Sequence, residues 1–400
     1  MCVRIWPIFG KTAPKQLFLI TLLSLTLSSY AGAQTQQKVY KNLALEGGGI
    51  RGIAYGGALA ELERRGQLQT IERIAGTSAG AIQACLLAMG YTPQQITEIT
   101  FKTPIQKFAD GRFLFVGGFA RMSNRFGWYR GEKFTGWLSD LIARKTGNPD
   151  LTFAELHALA GKNGYRDLYI TGTNLSRQRS EIFSHETFPH MKVKDAERIS
   201  MSVPMFFQAV FMDSTGQVFP KPLPNNGTDV LVDGGLLMNF PLMVFDHPTY
   251  FSAAGATAPE GKSRFINPET IGIRLDYDAQ IAYDLERKGL APNPINGFAD
   301  YITGFYRIII ENLNRHELTP ADWDRTVSVS TAGYGPKIKR LSEKDKGPCW
   351  KVGAWACCSS LPGVSNWSAE SIINPTLAHK NQSILFWPVI AKPGQKQNAC

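Results

Sequence analysis

Histidine and cysteine are both scarce in this chain, with six of each among 400 residues. No C-x-x-C occurs, and no His/Cys cluster has the spacing of a zinc ligand set, so the pattern calls for no metal. Beyond Leu27 no apolar run approaches the roughly 20 residues that a membrane-spanning helix needs. Internal repeats and long low-complexity linkers are also missing, which excludes a solenoid and makes one large domain the economical count.

The N-terminus reads MCVRIWPIFGKTAPKQLFLITLLSLTLSSYAGAQTQQ. Arg4, Lys11 and Lys15 precede an apolar core from Leu17 to Leu27, and Ala31-Gly32-Ala33 follows. A core this short, with basic residues before it and small residues after it, predicts a signal peptide over 1–33 and export to the periplasm, the outer surface or the medium. A retained anchor would need a longer core. Lys and Arg number 43 against 33 Asp and Glu, a net charge of +10 that becomes +7 without those three cations. A basic surface outside the cytosol favours an anionic membrane over nucleic acid.

From Lys38 onward short apolar runs alternate with amphipathic ones. NLALE, IERIAG, DLYITGTNL, SEIFS, TDVLVDGG and ETIGIRLDY read as strands. IRGIAYGGALAELERRG, SAGAIQACLLAMG and NGFADYITGFYRIIIENLNRHEL read as helices. Strand, helix, strand, helix with short links predicts an α/β fold, a mostly parallel sheet covered on both faces. Cys85 lies in the dense apolar helix and is expected to be a buried thiol. Cys349, Cys357, Cys358 and Cys400 fall in a C-terminal region, 344–400, with little helical periodicity, and their pairing stays open. Between Phe101 and Trp128, aromatics interleave with Lys102, Lys107, Arg112, Arg121 and Arg125. That mixture suits a membrane-surface contact, and the same aromatics also suit a core.

Two glycine-rich junctions carry the chemistry. Gly47-Gly48-Gly49-Ile50-Arg51-Gly52 joins the first strand to the first helix. A helix N-terminus with closely approachable backbone favours an anion, either a phosphate or a developing oxyanion. The run also fits G-x-G-x-x-G, but a dinucleotide site needs an acidic residue about 20 positions on, at the end of the second strand. That strand runs instead into Gly76-Thr77-Ser78-Ala79-Gly80. This is G-x-S-x-G between strand and helix, the setting of a nucleophile elbow, where small neighbours leave the serine hydroxyl exposed; a plain N-cap serine is the blander reading.

An activated serine needs a base. His157, His185, His190, His247, His316 and His379 all lie in polar, helical or unassigned stretches, none in a glycine-flanked turn after a strand. Asp233 does, ahead of Gly234 and Gly235 in VLVDGGLLMNFP. An Asp-Gly turn is the simpler alternative.

These three elements in this order resemble the patatin-like phospholipase family. SVPMFFQAV is similar to its Pro-aromatic segment, MNFP to its Asn-x-Pro, and GWYRGEKFTGWLSDLI to its middle helix. The likeness covers roughly Lys41 to Thr331, within an acyl hydrolase domain set at 38–343. It implies a three-layer α/β/α fold and a Ser-Asp dyad with Ser78 as nucleophile and Asp233 as base. It also implies an oxyanion hole from Gly48, Gly49 and Ile50, lipid acyl esters as substrates, and no cofactor. Arg51 would hold the loop or add positive potential. Where many members begin with Asp, this chain has Glu46, expected to matter little. Two other readings stay open: an α/β-hydrolase with a Ser-His-Asp triad, and a non-catalytic lipid-binding protein.

Overall fold

A computed structural model describes residues 38–331, apart from 104, 112–115, 253–263, 293, 298–300, 302–303, 305–307 and 309–317. The expected signal peptide, the region 344–400 with its four cysteines, and nearly all of the helix expected within NGFADYITGFYRIIIENLNRHEL lie outside those residues.

Strand β1 (Asn42–Leu45) is followed by a 3-10 turn, Gly49–Ala54, and then helix α1 (Tyr55–Arg64). A single helix from Ile50 was expected. The tighter turn comes first, opened by Gly49 at φ +54, a left-handed conformation that glycine adopts without strain. Strand β2 (Arg73–Gly76) leads through Ser78 into α2 (Ala79–Ala88), apolar except for Gln83 and buried on nearly every side, Cys85 included. Helix α3 (Pro93–Lys102) starts from a Thr92/Gln95 capping box. After α4 (Val116–Arg125) and the short β3 (Gly127–Tyr129) comes α5 (Glu132–Thr146), bounded by Gly131 and Gly147, both at positive φ.

Helix α6 (Phe153–Leu159) precedes the hairpin β4 (Asp167–Asn174) and β5 (Arg179–Phe183), and α7 (Val193–Ser200) follows. Then come β6 (Met205–Phe207), β7 (Val210–Met212), β8 (Val218–Phe219), β9 (Asp229–Asp233), β10 (Thr270–Asp276) and β11 (Thr326–Ser330).

Among the described residues nine strands form one sheet, ordered β11-β10-β1-β2-β4-β9-β7-β8, with β5 also paired to β4. The run from β11 to β4 is parallel, and β5, β9, β7 and β8 add an antiparallel flank. Side chains alternate across it. Leu43, Leu45, Ile74, Leu168, Ile170, Ile271 and Ile273 face the large core shared with α1, α2, α5 and α7. The opposite face carries small residues, Ala44, Ala75 and Gly272, which make room for Phe240, Leu242 and Phe245. A Cβ on Gly272 would lie 2.3 Å from the Phe240 ring. The chain is therefore a mixed α/β protein with helices and turns flanking a central, mostly parallel sheet.

The register of β4 explains where the site forms. At Ile170 it pairs with Gly76 of β2 and with Phe183 of β5; at Gly172 it pairs with Asp233 of β9 and Glu181 of β5. Since β5 occupies one edge from Ile170 to Asn174, β2 and β9 share the other. They run in opposite directions along it and meet head to head, two β4 residues apart.

The aromatics of the segment Phe101 to Trp128 divide between buried and exposed. Phe108 is buried against Phe134 and Trp137, with ring centroids at 5.4 and 5.2 Å. Phe119 and Phe126 stand 68% and 50% exposed.

Candidate active site

Ser78 occupies the junction of β2 and α2 with φ 52 and ψ −120, a conformation that L-residues avoid and that costs on the order of 1–3 kcal/mol. The close packing that enforces it involves both flanking glycines. A Cβ on Gly76 would lie 2.6 Å from the Cα of Ala81, and one on Gly80 only 2.4 Å from the Leu45 carbonyl oxygen. The Ser78 N–H donates to Ser200 Oγ at 2.9 Å, so the last residue of α7 anchors the turn.

Asp233 ends β9 and is buried, 3% exposed. Its N–H donates to the Ser202 carbonyl at 3.0 Å, and Gly235 N–H donates to Oδ1 at 2.7 Å. The Ser78 side chain lies close enough to the same carboxylate to favour its charged form. Burial pushes the Asp233 carboxyl up to about 7, with the bond from Gly235 and the nearby Ser78 pulling in the other direction. Gly234 packs on Thr171, whose hydroxyl lies 2.6 Å from that of Thr77, so the two junctions share a polar floor.

The glycine loop lies against this pair. Gly49 opens the 3-10 turn, whose first N–H groups have no carbonyl behind them. Gly52 packs on Ala79, the residue after Ser78, at 3.1 Å from where its own Cβ would stand. Of the two roles open to Arg51, the geometry displays the first: buried, it donates from Nη1 to the Leu275 carbonyl at 2.7 Å and from Nε to Gly48 O at 3.3 Å, holding the loop to β10. Asn239 of MNFP clamps Gly47 in a two-way exchange: Gly47 N donates to Asn239 O at 2.9 Å, and Asn239 Nδ2 donates to Gly47 O at 3.1 Å.

Glu46 departs from the expectation of little consequence. It is 1% exposed, accepts the Leu275 N–H at 2.8 Å and pairs with the fully buried Arg274 at 3.0 Å. Its own carbonyl accepts the Tyr55 hydroxyl at 2.5 Å. A charge so deeply buried is retained only with such partners, and here they stand directly beneath the loop. Sequence reasoning also missed Ser200 and Ser202, ordinary serines near a helix end that carry no local signal.

The described histidines sit elsewhere. His157 and His185 stack on each other at the start of β4, and His247 hydrogen-bonds Thr249. A family model for patatin-like phospholipases matches residues 43–246, half of the chain and every junction just described.

The chain belongs to the patatin-like phospholipase family.

Among curated relatives, the uncharacterized protein YqhO of Bacillus subtilis (strain 168) is 31% identical over 56% of this chain and 74% of its own. The probable lipid hydrolase 463L of Invertebrate iridescent virus 6 is 28% identical over 51% of this chain and 63% of its own. The chain spans from 61% to 74% of the length of the curated relatives it matches, less than two thirds for most. Among solved structures, VipD from Legionella pneumophila aligns with 80% of this chain and 66% of its own, at 16% identity and a TM-score of 0.47.

Proposed function

We propose that this patatin-like protein is a serine acyl hydrolase that cleaves fatty acyl esters of lipids, with Ser78 as nucleophile and Asp233 as base. The observation that carries the reading is the meeting of Ser78, at a strained strand-to-helix turn, with the buried Asp233 at the end of β9, two β4 residues away in register, where burial raises the carboxyl to about 7. A base poised near neutrality is what proton transfer requires. The printed name of the viral relative, a probable lipid hydrolase, agrees with it.

The reaction divides into two steps. Ser78 Oγ attacks the ester carbonyl carbon while its proton passes to Asp233. Negative charge gathers on the carbonyl oxygen, where the N–H groups of Gly48, Gly49 and Ile50 would receive it; preorganised donors of this kind contribute on the order of 3 kcal/mol each. The C–O bond breaks, and the leaving alcohol takes the proton from Asp233. Water then gives a proton to Asp233 and attacks the acyl-serine, releasing the fatty acid and restoring the Ser78 hydroxyl. No step needs a metal or a cofactor.

An anionic lipid surface suits the rest of the molecule. Lys102, Lys107 and Lys133 surround a cleft floored by Phe108 and Trp137, and Phe119, Phe126 and Met205 present apolar side chains to solvent. The N-terminal residues 1–33 place that surface outside the cytosol on the signal-peptide reading.

The experiment is fatty-acid release from mixed phospholipid vesicles with chelator present, comparing wild type with Ser78→Ala and Asp233→Asn. Loss in both variants with circular dichroism unchanged supports the dyad. Activity retained in Asp233→Asn would transfer the base to a histidine. Silence from wild type on phospholipid, lysophospholipid and galactolipid alike would leave the lipid-binding alternative.

A further inference from the structure

At the end of the sheet remote from Ser78, three elements bring ligand-type side chains together. His157 extends from α6, Asp167 is the first residue of β4, and His185 lies just beyond β5. His157 Nδ1 is 2.7 Å from Asp167 Oδ1, and His185 Nδ1 is 3.8 Å from the same oxygen. One ligand atom from each residue lies within 4.8 Å of the other two. Ligands of a tetrahedral zinc ion stand about 3.4 Å apart when its bonds are about 2.0–2.1 Å long, so small shifts would close this set around a cation.

The surroundings suit a divalent charge. Glu186 lies 3.9 Å from His185 Nε2 and is steadied by the Tyr169 and Tyr250 hydroxyls at 2.9 and 2.5 Å. Arg73 is the facing cation. It is occupied by Glu72 at 3.5 Å and Asn42 Oδ1 at 3.3 Å, and it lies over the Tyr250 ring. Burial, the leading cause, and His157 push His185 below the usual histidine range, with Asp167 opposing; a neutral imidazole is the form that binds metal.

We propose that His157, Asp167 and His185 form a binding site for a divalent cation of the zinc class, with water completing the coordination. Two nitrogens and one carboxylate oxygen suit zinc, nickel or copper better than calcium or magnesium. The two imidazoles are parallel, at 3.8 Å and 6°. A metal lies in the plane of each ring it binds, and parallel rings share no plane. One ring must therefore turn, and the His157 side chain, 52% exposed, has the room. Binding exchanges the His157–Asp167 hydrogen bond for metal bonds and pins α6 to the β4–β5 hairpin.

The site is independent of the acyl hydrolase reading. Asp167 precedes Gly172, the partner of Asp233, by five residues on β4, roughly 17 Å at the usual strand rise.

The test uses the whole chain, stripped with chelator, dialysed, and titrated at pH 7.5 with Zn2+ alone against a chromophoric zinc indicator. Wild type is expected to take up a zinc ion that raises its melting temperature. His157→Ala and His185→Gln should each weaken that uptake by at least about tenfold, and Ser78→Ala should bind as wild type does. Uptake should weaken as the pH is lowered, because protons compete with the metal for its ligands. No saturable uptake below roughly 100 µM, or uptake undiminished in both histidine variants, would overturn the proposal. The second result would place the metal elsewhere, for example on the C-terminal cysteines.

Discussion

Replacing Asp233 by asparagine removes a buried charge while keeping an acceptor for the Gly235 N–H. Burial lifts the Asp233 carboxyl from 3.8 to about 7, which corresponds to roughly 4 kcal/mol at about 1.36 kcal/mol per pH unit. The folded carboxyl keeps its proton up to about pH 7, whereas the unfolded one releases it near 3.8. Between those values the folded state binds more protons, so this group lowers stability as pH rises. The cost is absent below about pH 4 and complete above about pH 7. Relaxation and water entry make roughly 4 kcal/mol an upper bound.

The substituted carboxamide titrates nothing, so the stability of Asp233→Asn relative to wild type should improve between pH 5 and pH 8. Urea unfolding followed by circular dichroism reads that difference. Turnover runs the other way, because only ionised Asp233 can take the Ser78 proton. Wild-type kcat/KM on vesicles should rise about tenfold per pH unit and level off above pH 7, standing about 100-fold lower at pH 5. A variant that gains no more stability at pH 8 than at pH 5, together with a flat wild-type rate profile, would mean that Asp233 is charged throughout. The burial argument would then be refuted.

Gly49→Ala has open space around it but must hold φ +54. It should lose about 1 kcal/mol of stability and, by displacing loop N–H groups, about 10²–10³-fold in kcat with KM little changed. Melting curves and vesicle kinetics read the two effects. Ser200→Ala strips the Ser78 N–H of its acceptor; we expect a loss of about 1 kcal/mol in urea unfolding and a lower kcat. Glu46→Gln removes the 3.0 Å carboxylate from the fully buried Arg274, which keeps Asp276 at 3.6 Å, and should cost about 1–3 kcal/mol in urea unfolding. Arg274→Met takes the cation from both Glu46 and Asp276 and should cost more than Glu46→Gln; an equal or smaller loss would dismiss the pair. Gly80→Ala places a methyl 2.4 Å from the Leu45 oxygen and should abolish soluble expression.

The parts of the site that were legible in the sequence are those whose geometry is local. A glycine run after NLAL, a serine between Gly76 and Gly80, and an aspartate ahead of two glycines each announce a turn by residue type alone. Strand-like runs were also found near their true positions. Their direction was not readable, because a strand buried on both faces looks the same whether it pairs parallel or antiparallel. The direction of β9 was hidden for that reason, and with it the meeting of β2 and β9, while β7 and β8, at three and two residues, were too short to read as strands. Ser200, the Asn239 clamp, the Glu46–Arg274 pair and the His157–Asp167–His185 cluster were unreadable for a related cause. Each joins residues from separate elements, and only strand register or helix docking brings them into contact.

The head-to-head arrangement of β2 and β9 makes β4 an assembly jig. The chain is synthesised from its N-terminus, so Ser78 emerges with its glycine loop long before Asp233 exists. Helix α2 and the parallel strands β1, β2 and β4 can form early, yet the nucleophile has no base until β9 threads back along the same edge of β4. On the proposed reading, a nascent or truncated chain ending before Asp229 would carry a complete elbow and remain inert toward the membranes of the cell that makes it. Activity would then wait on the closing of the sheet and not on the making of the nucleophile.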